Sequence, residues 1–351
     1  MSGIRQHFIP RFLQNGFASK VVGDQVYAWV FTKDKPTFET NTINSGVSKF
    51  FYTEKGNSET DDIITDLEKS YSELVQSIRS GSNKALSDVL LPDFFAHMEV
   101  RTKNFRSSFH NASEYMIGKI LDFAADKQRF EPYFAKMVLS KPAIIKDAIN
   151  KQFDEYGINN EYRKALSKQV EHLLPHFMSN IQPFIKPLLE EFRANMPGYL
   201  KAAVKSGHNN ALASCLNQLQ PRADKYSQLN FEVKAWPDED LILGDSAVLF
   251  KIEANQSLFR ACVDKDQKVI QAFLPISRTQ ILVGSRDTEN SDFCPAEIKE
   301  AIARCSLEFF VGPSKTEKNL SLANIIGENA SIISDEELEA IVESLWDLNN
   351  L

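Results

Sequence analysis

Cysteine is scarce and scattered. The four residues, Cys215, Cys262, Cys294 and Cys305, form no C-x-x-C pair, which argues against a zinc ribbon. A chain of 351 residues can bury a core without disulfide staples, so free thiols and a cytoplasmic location are expected. Long apolar runs are missing as well. No window reaches the ~18 uninterrupted apolar residues of a membrane span. The first apolar run is broken by Arg5, His7 and Arg11, so no signal peptide and no membrane partner are expected. Positive charge is not in excess: the formal net charge is −7, which argues against a surface coated in positive potential for duplex DNA. A local basic groove stays compatible with that balance. No Walker loop, G-x-G-x-x-G or G-x-S-x-G occurs.

What is present is phenylalanine, 25 copies of it, within an ordinary globular composition of 43% hydrophobic and 25% charged residues. An aromatic-rich core follows. Pro10 suits the start of a short helix carrying Phe12, Leu13 and Phe17. "VYAWVFT" (26–32), "PTFETN" (36–41) and "SGVSKFFYT" (45–53) read as strands. Ile63, Ile64, Leu67, Tyr71, Leu74, Val75 and Ile78 repeat at helical spacing over about 58–80, and residues 83–217 are predicted helical nearly throughout, punctuated by prolines. Beyond Pro221 the pattern returns to short β-type runs, then a helix at "PAEIKEAIARCS" and a strand at "LEFFVG". The expected class is α+β, with strands from both chain ends in one sheet or small β layer and a large multi-helix insertion between them. The expected boundaries are one composite domain over 1–312, with its insertion at about 58–217. A linker and an acidic amphipathic helix follow over 313–351.

"HFIPRFL", "FETNTINSGVSKFFYT" leading into "ITDLEKSYSELVQSIR", "LPDFFAHMEVRTKNFR", "DLILGDSAVLF", "AFLPISRTQILVG" and "EIKEAIARCSLEFFV" occur in that order. In order and spacing the chain resembles the uncharacterised bacterial family labelled domain of unknown function 4238, up to roughly residue 312. The resemblance implies a shared fold and a bacterial origin, and supplies no activity. Where that family usually has Asp-Asn-Pro, this chain has Asp245, Ser246 and Ala247, so the turn after Asp245 is expected to differ.

Six residues are singled out. His7 lies just before a helix N-terminus, whose dipole keeps an imidazole neutral and able to act as a base, an acceptor or a ligand; the alternative is a tie to a neighbouring backbone group. Arg11, Arg101 and Arg278 could converge on a phosphate or carboxylate as substrate-binding groups, or serve as ordinary ion pairs. Asp245, between "LILG" and "AVLF", is either a rigidly held base or metal ligand, or an Asx-turn. Glu68 borders the apolar face of its helix, as a catalytic carboxylate or as a solvated one. "HLLPH" places His172 and His176 four apart, with Pro175 spoiling the zinc-ligand geometry.

Two functions are weighed. One is a phosphodiesterase or nuclease-like enzyme acting in stress or phage defence, with His7, Glu68 and Asp245 catalytic and Mg²⁺ or Mn²⁺ as metal. The other is a non-enzymatic sensor or regulator binding a nucleotide, nucleic acid or protein, with partner docking or self-association through 334–349. The enzyme requires His7, Glu68 and Asp245 within ~8 Å around a cleft. The binding module requires clustered arginines without a paired base. A purely structural cluster would have every polar atom satisfied.

Overall fold

The computed structural model describes residues 5–52, 59–140, 142–178, 180, 182–217, 220–253, 259–263, 267–286, 293–330 and 335–345. The chain falls into two compact units. The first comprises residues 1–109 and 204–333, the second 110–203 and 334–351.

The first unit holds all the strands. In chain order they are β1 (Arg5–His7), β2 (Lys20–Val22), β3 (Gln25–Thr32), β4 (Phe38–Asn41), β5 (Val47–Lys49), β6 (Asn230–Ala235), β7 (Leu243–Gly244), β8 (Leu249–Ile252), β9 (Phe259–Arg260), β10 (Val269–Ser277), β11 (Gln280–Ser285) and β12 (Phe309–Gly312). The class is α+β, as the pattern of the sequence implies.

One sheet runs β2-β3-β12-β7, with β4 on the free side of β3. Strands from both chain ends therefore share it. The central pair β3/β12 is antiparallel, and Phe31 stands opposite Phe310 with rings stacked 4.9 Å apart. Both side chains are fully buried, which is why two such distant segments pair. The second sheet is the meander β6-β11-β10-β8-β9. Two of its three inner strands, β10 and β11, are near-continuous apolar runs because both are buried almost along their whole length. β1 and β5 form a separate two-stranded ribbon, shorter than the "SGVSKFFYT" run predicts. That run bends at Phe50, whose φ of 50° cannot continue a strand.

Helices Glu59–Arg79, Leu90–Val100 and Pro295–Cys305 pack among these strands. The first keeps its apolar stripe inward: Ile64, Tyr71, Leu74, Val75 and Ile78 are all buried. Arg79 at its end does more than complement the dipole. Its guanidinium donates to the carbonyls of Phe12, Leu13 and Ile276, fastening the short Arg11–Gln14 helix to β10. Gly16 fits there because a Cβ would collide with the Arg79 guanidinium and the Ile276 carbonyl.

The described residues of the second unit form helices and the turns that join them. The unit is built on Lys127–Leu139, Pro142–Glu155, Asn160–Met178 and Asp335–Leu345, with the adjoining parts of the longer helices Lys103–Ala125 and Gln182–Asn217. Phe123 packs edge-on against Phe130 and Tyr133. Pro175, Pro187 and Pro197 lie inside helices instead of ending them. The residues four positions earlier, Glu171, Pro183 and Arg193, are exposed, so water can take the carbonyls that proline leaves unbonded. In the Asp335–Leu345 helix Leu338 and Val342 are buried, and Lys119 approaches Glu339 at 4.0 Å. The rest of the 334–349 segment considered for partner docking, Ser334 and Trp346 included, lies outside the described residues. Among the described residues no helix is long and apolar enough to cross a membrane.

Candidate functional site

The site is built on two helices of the first unit that face each other through paired positions. Glu68 and Tyr71, three apart, share a face of Glu59–Arg79. His97 and Arg101, four apart, share a face at the end of Leu90–Val100, where Arg101 is the C-terminal cap. The rings of Tyr71 and His97 are 5.4 Å apart, and Phe94 packs 4.9 Å from Tyr71.

Arg101 is the largest fully buried side chain in the chain's described core. Its Nη2 donates to Glu68 Oε1 at 2.6 Å and to the carbonyl of His7. Its Nε donates to the Tyr52 hydroxyl at 3.0 Å, and that hydroxyl donates to the same His7 carbonyl at 2.7 Å. The β1 end, the segment after β5 and both helices thus meet on one guanidinium. Burial opposes its charge, but the neighbouring Tyr52 and Glu68 outweigh burial and raise its pKa. Burial pushes the Tyr52 phenol up to about 12, so it stays a neutral donor.

His7 is held neutral. Burial first, then the charges of Arg11, Arg101 and Arg5, bring its pKa down to about 4. A hydrogen bond with the Ser45 backbone, the tie to a neighbouring backbone group considered above, works in the opposite sense. Its Nδ1 is buried and has no hydrogen-bond partner among the described residues. Arg11 is exposed, and its guanidinium likewise has no hydrogen bond or ion pair among the described residues. His97 is also neutral, for burial and Arg101 both lower it.

Asp245 and Arg278 have partners of their own. Asp245, fully buried beside β7, accepts from the backbone N–H groups of Leu307 at 2.7 Å, Glu308 at 2.7 Å and Phe309 at 3.2 Å. It organises the loop entering β12. Burial raises its pKa to about 7, against the pull of those three bonds. The turn after it places Ala247 at φ 58°, a left-handed conformation that proline cannot adopt. Arg278 pairs with Asp240 at 2.7 Å and is half exposed. His172 and His176 are exposed, and among the described residues no group of three or more His, Cys, Asp or Glu could hold a metal.

A second buried polar network lies on the opposite side of the Leu90–Val100 helix. Glu99 accepts from Tyr226 at 2.7 Å, from the Val263 N–H at 2.8 Å and from Cys262 at 3.0 Å, and pairs with Arg222 at 2.7 Å. Burial and Glu99 hold the Cys262 thiol far above its ordinary range, so it is inert. The Glu99 carboxylate is fully partnered, and the network is a structural clamp.

Sequence reasoning named His7, Arg11, Glu68 and Arg101 and did not name Tyr52, Tyr71 and His97, which lie beside them. The signal for the last two was there: an E-x-x-Y step and an H-x-x-x-R step, each on one helical face. Tyr52 had no such signal, because it follows the non-helical turn at Phe50.

A family comparison now bears on this unit. The chain belongs to the family described as "Protein of unknown function (DUF4238)", whose model it matches over residues 5–300. That span contains every member of the cluster. No curated protein and no solved structure gives a significant match.

Proposed function

We propose that the first unit is a binding module for a small phosphate-bearing molecule, recognised through its anionic group by His7, Arg11 and Arg101. One observation carries this reading. Three arginines, Arg5, Arg11 and Arg101, and a neutral, buried imidazole share one neighbourhood, and among the described residues Glu68 is the carboxylate paired against them. Glu68 neutralises Arg101 and fixes its orientation, which leaves the field around His7 positive. Anions are drawn to such a neighbourhood, and arginine supplies the fork that phosphate oxygens fit. A wholly structural cluster would leave no buried polar atom without a partner, whereas here His7 Nδ1 and Arg101 Nη1 have none among the described residues.

The test is calorimetric titration of the full chain with nucleoside monophosphates, against Arg11→Ala. Arg11 is exposed, so its loss leaves the fold intact. A charge-assisted contact is worth about 1.5–3 kcal/mol, so affinity should fall roughly tenfold or more. Equal affinity in the two proteins would remove the reading. Parallel incubation with a chromogenic phosphodiester and Mn²⁺ separates binding from turnover. Product release that depends on His7 and Glu68 would make the unit a phosphodiesterase.

A further inference from the structure

Arg101 has one nitrogen that the cluster described so far does not use. Its Nε and Nη2 are engaged, and its Nη1 is buried with no hydrogen-bond partner among the described residues. The same holds for the Tyr71 hydroxyl and for both ring nitrogens of His97. All three side chains are fully buried. They also lie together: the Tyr71 and His97 rings are 5.4 Å apart, and the Arg101 charge acts on both, while on Tyr71 the Asp93 carboxylate acts more strongly and in the opposite sense. One unsatisfied buried atom can be tolerated, but four in one neighbourhood, one of them on a guanidinium, are far from the native norm. Each such group carries a desolvation penalty that a partner would remove. The Glu99 carboxylate, on the same helix, is by contrast fully partnered.

We infer that Tyr71, His97 and the Nη1 of Arg101 form an inner subsite that holds an oxyanion, the terminal phosphate or carboxylate group of a ligand. The donors decide the chemistry. A guanidinium N–H, a phenolic O–H and one imidazole N–H all require an acceptor, and an oxyanion offers several lone pairs at once. Neutral His97 keeps one N–H to donate. Glu68 is turned to Nη2, so it does not compete at Nη1. The inference shares Arg101 with the binding reading above and rests on it for the ligand's class, but its own residues are different.

The experiment uses the full chain in a phosphate-free buffer, with inorganic phosphate and acetate as probes. Binding is followed by calorimetry and by the shift in melting temperature, in wild type, Tyr71→Phe, His97→Asn and Arg11→Ala. Tyr71→Phe removes only an unpartnered hydroxyl, so it should fold and melt at or above the wild-type temperature without ligand. The expected result is that one or both probes bind wild type, and that Tyr71→Phe and His97→Asn weaken that binding about tenfold or more. Two results overturn the inner subsite. In the first, neither probe binds wild type. In the second, a probe binds equally well to wild type and to both inner variants. If in that case Arg11→Ala still weakens nucleotide binding, the outer reading survives and only the subsite falls. Loss in the inner variants with no effect of Arg11→Ala keeps the subsite and removes Arg11 from recognition.

Discussion

At the scale of single residues, burial sorts the polar groups by whether they have partners. Glu99 and Asp245 are fully partnered. Truncating Glu99 to Ala would leave the Arg222 charge without its carboxylate, at a cost of about 3–5 kcal/mol by urea denaturation. Asp245→Ala would release three backbone N–H groups at the entry to β12, a loss of about 2–4 kcal/mol, with nucleotide affinity unchanged in whatever folds. A change in affinity at constant fold would return Asp245 to the site. Tyr71 and His97 form the contrasting class, buried and unpartnered. The sequence marked Asp245 and Arg278 as readily as His7 and Arg101, because residue type and local spacing carry no information about partners. Asp245 finds its partners more than sixty positions away, and Arg278 finds Asp240 at a separation of 38 positions.

At the scale of elements, the legible part was periodic. The Glu59–Arg79 helix, β3, β10, β11 and the Pro295–Cys305 helix lie close to where apolar spacing placed them. What spacing could not show was where strands pair, because pairing joins β12 to β3 across most of the chain. That pairing is held by the Phe31–Phe310 stack. Phe310→Ala should cost about 3–5 kcal/mol and should loosen β7 with it, read as faster amide exchange in both strands. A loss under 1 kcal/mol would mean that the two chain ends are joined by something else. The left-handed turn at Ala247 makes the opposite prediction. Ala247→Gly should stabilise by roughly 1 kcal/mol, since glycine adopts φ 58° without strain. A lower denaturation midpoint in that variant would contradict it.

At the scale of the whole molecule, buried imidazoles set the response to acid. His7 titrates at about 4 and His208 at about 3 in the folded chain, both for burial first, against 6.5 when unfolded. Between those values the unfolded chain holds the proton and the native chain does not. Stability is therefore full above pH 6.5 and is lost as pH falls towards 4, by roughly 2 kcal/mol from each histidine at pH 5. Asp245 acts in the other sense. Its folded value of about 7 lies above its unfolded 3.8, so its contribution is full below 3.8 and fades as pH rises to 7. Two histidines outweigh one carboxyl, so wild type should lose stability from pH 7 to pH 5. His208→Asn should lose about 2 kcal/mol less over that interval. An identical slope in both proteins would mean that His208 is not held neutral. Composition foretold the aromatic core, and the order of β-type and helical runs foretold the α+β class. The charge, −7 overall, concealed the positive neighbourhood of His7, because a net charge sums over a surface that the site does not share.

The central claim is that a buried guanidinium and its unpartnered neighbours receive an anion. Crystals of the full chain soaked in selenate would test it most directly, by anomalous scattering. The account predicts a peak within hydrogen-bond reach of Arg101 Nη1, Tyr71 and His97. Well-ordered density for those side chains, with only water beside them at saturating selenate, would contradict it.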